Sequence, residues 1–128
     1  MCIRDRFKSE NLTAVLNNPE SNANKNLKYL RNAMDVRSEL KQFHPCSEMK
    51  CLSKGRSDIV VIKRGKGPES VFAIHNMTEN KINYQLNDND LPKIIDNNFN
   101  TLDFLTSNKY NCKNISLDPF QVIWLSAF

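Results

Sequence analysis

The sequence predicts a mainly β protein with an N-terminal helical segment, in which one long helix precedes an antiparallel Greek-key β-sandwich. Two observations predict this fold class. Apolar residues recur at three- and four-residue steps up to Pro45, whereas beyond Pro45 they gather in short runs separated by turn residues. The length of 128 residues sets a bound, since it suffices for one hydrophobic core but not for a barrel-type catalytic domain of roughly 250 residues.

The predicted helical part has two segments. The residues from Phe7 to Leu16 favour a short helix, which Asn17-Asn18-Pro19 ends because proline disfavours helix before it. Ser21 stands at the N-cap position of a second helix of about 20 residues, which Pro45 ends. One apolar stripe marks the buried face expected of this helix. The stripe consists of Ala23, Leu27, Leu30, Ala33, Met34, Val36, Leu40 and Phe43.

Seven short runs after Pro45 predict strands. They are Met49 to Ser53, Asp58 to Lys63, Ser70 to Met77, Lys81 to Leu86, Thr101 to Leu105, Asn114 to Leu117 and Phe120 to Leu125. Glycines at Lys54-Gly55-Arg56 and Gly65-Lys66-Gly67-Pro68 predict hairpin turns, and therefore antiparallel neighbours. The second and third runs are apolar on both faces, so we expect central, doubly covered strands with the long helix over one face. Residues 87–100 predict a long surface loop with one edge segment.

Composition argues against several classes of function. The chain carries 18 Lys and Arg against 14 acids, and these basic residues are scattered, unlike a nucleic-acid footprint. No apolar stretch reaches the roughly 20 residues that a membrane span needs, and the N-terminus lacks a signal-peptide core. Cys2, Cys46, Cys51 and Cys112 form no Cys-x-x-Cys pair. We therefore predict reduced thiols, a cytoplasmic location, and neither nucleic acid nor a membrane as partner.

Four aspartates are the candidate catalytic carboxyls. They are Asp88, Asp90, Asp96 and Asp103. Retaining glycoside chemistry needs two carboxyls about 5 Å apart in a cleft, whereas these acids are single residues in loop contexts. We predict that all four are surface acids and that the chain has no catalytic residues.

Two further clusters could in principle bind a ligand. His44, Cys46 and Cys51 could be three zinc ligands, but no fourth ligand follows at a standard spacing. We therefore predict no metal site, no cofactor, and a structural role for His44 at the junction between helix and sheet. The basic residues among Lys63 to Lys66 could attract an anionic sugar phosphate, although a solvated hairpin is the simpler interpretation.

Four segments carry a resemblance to a known family. They are Phe43-His44-Pro45, Asn76-Met77-Thr78, Leu102-Asp103-Phe104-Leu105-Thr106 and Leu117-Asp118-Pro119-Phe120-Gln121-Val122-Ile123-Trp124-Leu125. Together they resemble the C-terminal region of sucrose phosphorylase-like enzymes of the α-amylase superfamily (glycoside hydrolase family 13), and the last segment is the most specific. The resemblance covers Phe7 to Leu125. The chain departs from the family at Phe120, where Tyr is usual, and at Ser107, where Gly is common. The Phe-His-Pro junction is most similar to glucosylglycerate and glucosylglycerol phosphorylases.

The resemblance implies a division of the chain into parts of a larger enzyme. Residues 7–45 would be the helical end of a catalytic TIM barrel and residues 46–128 a C-terminal antiparallel β domain. Residues 1–6 resemble a translated sequencing-adapter remnant and are set aside. The implied parent transfers a glucosyl unit between an α-glucoside and phosphate with retention. Its catalytic carboxyls would lie in the missing barrel, the expected partner, so the fragment alone is expected to be inactive; sugar and phosphate would be substrates of the parent only.

Two alternatives stay open. The β domain could be a free-standing carbohydrate-binding module, which would require Trp124 and Tyr84 to be exposed together on one sheet face. We predict instead that Trp124 lies in the core. The domain could also belong to another amylase-superfamily hydrolase or transglycosylase. Exposure of the apolar stripe on the long helix separates an enzyme fragment from a self-sufficient module, because only the fragment would leave part of the stripe bare.

Overall fold

A computed structural model describes residues 8–90 and 99–126 of the chain. The chain divides into two compact units, Met1–Arg37 and Ser38–Phe128. The first unit is mainly helical where it is described, and the described strands lie in the second. The predicted fold class is therefore confirmed: a mainly antiparallel β protein with an N-terminal helical segment.

The helical unit contains α1 (Ser9–Asn17) and most of α2 (Asn22–Glu39). Ser21 caps α2 as predicted, since its Oγ accepts a hydrogen bond from the backbone N–H of Asn24 at 3.1 Å. The helix ends at Glu39 and does not continue toward Pro45. Leu40 has an extended backbone, and Lys41–Phe43 form a separate 3-10 helix.

The apolar stripe of α2 is not buried. No residue of α1 or α2 is buried, and the Leu30 and Met34 side chains are 56% and 61% exposed. Part of the stripe is therefore bare. The covering of a sheet face by this helix stays a prediction. Among the described residues, no helix is long and apolar enough to cross a membrane.

The described strands form three antiparallel sheets. The largest contains four strands in the order β1-β2-β3-β8: β1 (Met49–Cys51), β2 (Ile59–Arg64), β3 (Val71–Asn76) and β8 (Val122–Ser126). In the two smaller sheets, β4 (Ile82–Tyr84) pairs with β7 (Ile115–Leu117), and β5 (Asn100–Leu102) pairs with β6 (Lys109–Asn111).

Each of the seven predicted runs overlaps a strand, and the two glycine turns join antiparallel neighbours as expected. The pattern does not predict β6, because Lys109 and Asn111 flank a single apolar side chain in that strand. Most of the predicted loop with its edge segment falls on residues 91–98, which lie outside the described residues. Its last residue, Asn100, begins β5.

Register divides the four-stranded sheet into two faces. Val61 lies opposite Ile74, which lies opposite Ile123, and all three are fully buried on the inner face. This face packs with residues of the smaller sheets into one core. The core cluster consists of Ile59, Val61, Phe72, Ile74, Leu86, Cys112, Ile115, Leu117, Ile123 and Leu125. In β2 and β8 buried residues alternate with half-buried ones, so these two strands bury their apolar side chains mainly on the inner face.

The two central strands differ in how they are covered. Residues Val71 to Ile74 of β3 are all buried, which confirms the prediction of a doubly covered strand. In β2, Ile59 and Val61 are buried on the inner face, whereas Val60 and Ile62 on the other face are half-buried. For β2, the prediction that both faces are covered is therefore confirmed on the inner face only.

Asp103 is fully buried, so the prediction of a surface acid is wrong for this residue. Its Oδ1 accepts hydrogen bonds from the backbone N–H groups of Leu105 at 3.1 Å and Trp124 at 2.8 Å. Its Oδ2 accepts one from the Thr106 hydroxyl at 2.6 Å. The carboxylate thereby ties the turn after β5 to β8. A sequence pattern locates such a turn but does not reveal that the turn packs against another strand.

Removing the Asp103 carboxylate should strongly destabilise the fold. We expect Asp103→Ala to lower the free energy of unfolding by about 2–4 kcal/mol, because it leaves buried donors without an acceptor. Asp103→Asn keeps one oxygen and should cost about half as much. Urea unfolding measures both values. Asp88→Ala is the matched control, since the exposed Asp88 pairs with Lys113 at 3.3 Å and should contribute less than about 0.5 kcal/mol. Equal losses at positions 88 and 103 would contradict this account.

The thiol of Cys112 should be unreactive in the folded protein. Burial raises the pKa of Cys112 to about 11, so this thiol stays protonated at pH 8, whereas Cys46 and Cys51 are exposed. We expect maleimide to label only the two exposed cysteines among these three at pH 8. Because the folded state holds the proton more tightly, stability is retained below pH 9 and falls as pH rises from 9 to about 11. This fall should be shallower in Cys112→Ala; an identical pH profile would refute the assignment.

Candidate functional site on the outer face of the four-stranded sheet

The outer face of the four-stranded sheet is the surface opposite the core. By register it carries Val60, Ile62, Val71, Ala73, His75, Val122 and Trp124. Val71 and Ala73 are buried, and the other five are half-buried. Burial lowers the pKa of His75, which favours the neutral imidazole on this face. A mainly apolar face that is only partly covered is a candidate contact surface.

Trp124 is held on the outer face by contacts to ring and backbone. The rings of Phe43 and Trp124 lie 4.7 Å apart between centroids, with their planes tilted by 41°. The backbone N–H of Trp124 donates to Asp103, as described above. The indole Nε1 atom is buried and has no hydrogen-bond partner among the described residues. Trp124 is therefore half-buried on the outer face and lies outside the core cluster, so the prediction that it lies in the core is wrong. One polar group of its side chain has no partner among the described residues.

Trp124 and Tyr84 do not form a shared sugar-stacking platform. Tyr84 lies on β4, in a different sheet from Trp124, and packs against the core cluster. Both residues are half-buried. The exposure that a carbohydrate-binding module would require at these two positions is therefore not found.

Residues 40–47 bind to the hairpin between β2 and β3. Gln42 is 5% exposed, and its Nε2 donates to the backbone carbonyl of Glu69 at 2.7 Å. Arg64 donates from Nε to the carbonyl of Gln42 at 3.1 Å and from Nη2 to that of His44 at 2.8 Å. His44 Nδ1 accepts from the backbone N–H of Cys46 at 3.2 Å. Charge-assisted bonds from Arg64 thus fix this segment to the sheet.

A groove of about 460 Å³ lies between this segment and the hairpin. It is lined by Lys41, Gln42, His44, Cys46, Ser47, Gly65, Lys66 and Glu69. Its two lysines are paired: Lys41 Nζ lies 2.5 Å from Glu69 Oε2, and Lys66 Nζ lies 3.3 Å from Glu48 Oε2. The groove therefore concentrates little positive charge for an anionic sugar phosphate.

The basic residues of the hairpin do not converge on a common point. Lys63 lies on the inner side of β2, where its Nζ is 5.7 Å from the centroid of the Phe72 ring. Arg64 lies on the outer side and is bound to carbonyl groups. Alternation along the strand separates the two charges, which weakens the hypothesis of an anion site at Lys63 to Lys66.

The remaining candidate residues lie in separate surroundings. Within residues 8–90 and 99–126, no group of three or more His, Cys, Asp or Glu side chains could hold a metal ion. Asp88 is exposed, and Asp90, whose side chain is 13% exposed, pairs with Lys50 at 3.2 Å. Asp96 lies outside the described residues.

Sequence reasoning missed two exposed apolar side chains on neighbouring turns. Met77 and Phe120 are 55% and 65% exposed, and the backbone N–H of Phe120 donates to the carbonyl of Thr78 at 3.0 Å. The sequence pattern assigns Phe120 to the last strand, but β8 begins only at Val122. Phe120 has a φ of +54°, which removes it from the strand. No sequence signal indicates this conformation.

Several solved structures share the fold of this chain. Trehalulose synthase MutB from Pseudomonas mesoacidophila MX-45 matches over 91% of this chain and 19% of its own, with 13% sequence identity and a TM-score of 0.66. A MutB variant in complex with its substrate sucrose gives the same values. AmyP in complex with maltose matches over 84% of this chain and 21% of its own, with 17% identity and a TM-score of 0.65.

This chain therefore spans about one fifth of the length of the structures that it matches. At such low identity the likeness establishes a common fold. No protein-family model and no curated protein sequence matches the chain.

Gly65 should be required for the contact between Gln42 and the hairpin. A Cβ at Gly65 would lie 2.9 Å from Gln42 Cγ, whereas a Cβ at Gly55 would meet nothing within 4 Å. Gly65 has a φ of +85° and Gly55 a φ of +83°. The backbone strain of an alanine should therefore be the same at both positions, about 1–2 kcal/mol. We expect Gly65→Ala to lower the free energy of unfolding by about 1–3 kcal/mol more than Gly55→Ala. Urea unfolding compares them, and equal losses would argue against a close contact.

Proposed function

We propose that this chain is the C-terminal part of a sucrose phosphorylase-like enzyme of the α-amylase superfamily. In this proposal residues 7–45 end the catalytic barrel, and residues 46–128 form an accessory β domain without catalytic residues. The observation that carries it is the fold match, which spans 91% of this chain but only about one fifth of the trehalulose synthase. A chain that corresponds almost entirely to a small part of a larger enzyme fits a structural portion of such an enzyme.

The bare stripe of α2 supports a missing catalytic domain. Its Leu30 and Met34 side chains are more than half exposed, although they lie on the face that the helical period predicts to be buried. Exposed apolar stripes on helices mark contact surfaces with other protein. A barrel preceding α2 in the same polypeptide would cover such a stripe, and it is the partner that we propose.

The sucrose phosphorylase type is proposed from the ending of β8 and the turn before it. Gln121 accepts a hydrogen bond from the backbone N–H of Asp118 at 2.8 Å and donates to the Tyr110 hydroxyl at 2.9 Å. Trp124 packs on Phe43. The residues that carry the resemblance thus form contacts within the proposed β domain and, through Phe43, a contact to the segment that the proposal assigns to the end of the barrel. The MutB variant whose structure contains its substrate sucrose is compatible with a parent that acts on an α-glucoside.

The chemistry of the parent would take place outside this chain. In retaining transfer to phosphate, a carboxylate attacks the anomeric carbon while the acid/base carboxyl protonates the leaving glycosidic oxygen, so that the C–O bond breaks and a glucosyl-enzyme ester forms. A phosphate oxygen then attacks the ester and loses its proton to the acid/base residue, which frees the carboxylate and yields glucose 1-phosphate. This transfer requires two carboxyls about 5 Å apart. The buried carboxylate of Asp103 accepts hydrogen bonds from its own turn and from β8. We therefore propose that the nucleophile and the acid/base lie in the barrel.

We also propose a cytoplasmic location. Cys46 and Cys51 are exposed free thiols. Exposed thiols are typical of compartments in which thioredoxin and glutathione keep cysteines reduced. Detection of the protein in an oxidising compartment with these cysteines in disulfides would oppose the proposal.

The proposed activity is tested by extending the chain upstream in its own coding sequence. We expect that region to encode a barrel of roughly 250 residues or more. The extended enzyme, supplied with sucrose or glucosylglycerate and inorganic phosphate, should release glucose 1-phosphate, whereas the 128-residue chain alone should release none. Product analysis by chromatography provides the measurement.

Three other outcomes are informative. Phosphate-independent release of glucose would indicate a hydrolase, and phosphate-independent formation of a sucrose isomer would indicate an isomerase. Either result would eliminate the phosphorylase while retaining a sugar-active parent. An upstream region that encodes no barrel would eliminate the entire proposal.

A further inference from the structure

Two turns of the β domain are joined through a buried asparagine. Asn76, at the end of β3, is 2% exposed, and its Nδ2 donates to the backbone carbonyls of Asn80 at 2.7 Å and Asp118 at 2.9 Å. Its Oδ1 accepts from both the backbone N–H and the hydroxyl of Thr78, each at 2.9 Å. All four bonds that an asparagine amide can make are therefore used. They fix the turn after β3 against the turn before β8.

Gln121 makes further hydrogen bonds that connect the same two turns. In addition to its side-chain bonds to Asp118 and Tyr110, its backbone carbonyl accepts from the N–H of Asn76 at 2.9 Å. Its own N–H donates to the carbonyl of Asp118 at 3.0 Å. The backbone around residue 120 is thus held on both sides.

The residue that these bonds hold in place is an exposed aromatic under backbone strain. Phe120 has a φ of +54°, a region that bulky residues rarely occupy and that glycine would occupy without strain. Phe120 is 65% exposed, so its side chain is little buried within this chain. Strained residues that the surrounding structure holds in place cluster at functional positions such as active sites, ligand clamps and switch regions. The 55% exposed Met77 on the adjoining turn enlarges the apolar surface.

We propose that Phe120 is an anchor by which the β domain binds the catalytic domain of the same enzyme, with its ring inserted into an apolar pocket there and Met77 packed at the edge. This inference rests on the proposed function. Rigid aromatic side chains surrounded by a polar rim are the residues that contribute most to protein interfaces. Asp118, two residues before Phe120, forms an ion pair with Lys81 at 3.8 Å, which adds charged groups to the same two turns. Because the turns are fixed beforehand, binding costs little conformational entropy.

A catalytic domain of the same polypeptide fits this anchor better than other occupants do. About four fifths of each matched enzyme lies outside the region that corresponds to this chain. In the proposed parent, the catalytic domain would be a large partner joined to the β domain by the polypeptide, and therefore present at high effective concentration. A second copy of the chain or a sugar ring are the competing occupants.

Methionine oxidation measures the burial of this patch without any substitution. Met77 and Met49 are 55% and 64% exposed and should react with hydrogen peroxide at similar rates in the 128-residue chain. In the upstream-extended enzyme, oxidation of Met77 should slow by about tenfold relative to its rate in the chain alone, as expected at a desolvated anchor site. Peptide mass spectrometry measures the rates. An unchanged rate at Met77 in the extended enzyme would overturn the proposal.

Substitution of Phe120 by glycine separates strain from binding. In the 128-residue chain, Phe120→Gly should lower the unfolding constant by roughly threefold to tenfold, because the strain at positive φ disappears. In the upstream-extended enzyme the same variant should raise the rate constant of the first step of thermal inactivation about tenfold or more, because the anchor is lost. Phe120→Tyr should behave like the parent sequence in the extended enzyme.

Ser107→Gly is the matched control for the glycine variant. Ser107 is another non-glycine residue at positive φ, 62°, with an exposed and small side chain. Relief of strain there should stabilise both the chain and the extended enzyme. If Phe120→Gly stabilises both forms as Ser107→Gly does, the anchor is refuted.

The competing occupants give distinct results on the chain alone. Dimers that dissociate in Phe120→Gly would assign the patch to a second copy, and saturable shifts of the Phe120 ring resonances by maltose or sucrose would assign it to a sugar. Either result overturns the anchor. An extended enzyme that produces glucose 1-phosphate but leaves Met77 unprotected overturns the anchor and retains the proposed function. An upstream region without a barrel overturns the proposed function itself.

Discussion

The β domain depends on the requirement that strand β3 be covered on both faces. Phe72 and Ile74 point into the core, where the two smaller sheets supply apolar partners. Val71 and Ala73 point the other way, and both are buried. On that side their register partners include Arg64 and Trp124, which bind residues 40–47 through carbonyl groups and the Phe43 ring. The segment after α2 therefore belongs to the same compact unit as the strands, Ser38–Phe128.

The sequence predicts the parts of this fold that burial alone determines. The consecutive apolar residues of β2 and β3 indicate central strands because few other arrangements can hide both faces of a strand. Apolar patterns do not predict the burial of Asp103. Its carboxylate is buried because it accepts hydrogen bonds from the backbone N–H groups of Leu105 and Trp124, which lie on different segments of the chain. The short strand β6 is likewise defined by its pairing with β5, and its own side chains carry no strand signal. Long-range polar contacts are what a single sequence hides.

The candidate surfaces show the same limit. The alternation along β2 and β8 predicts which residues share the outer face, but not that Arg64 uses its guanidinium on the carbonyls of Gln42 and His44. Lys63 and Arg64 are adjacent in sequence and therefore suggest a cluster of positive charge. Because side chains alternate along a strand, the two residues lie on opposite faces of the sheet. Phe120 is a further case, because its exposure results from a backbone conformation set by Asn76 and Gln121. The family resemblance marks these segments as distinctive without revealing the task of each residue.

The Asn76-Met77-Thr78 turn has a consequence for how the protein can be produced. This tripeptide is also an acceptor sequence for N-linked glycosylation, which in a eukaryotic secretory pathway takes place while the chain is being made. A glycan would occupy the Nδ2 atom that donates to Asn80 and Asp118, and it would have no room at a residue that is 2% exposed. The modified chain could not close the two turns. Expression in a bacterial cytoplasm, or in a host that does not glycosylate, is therefore the route compatible with folding.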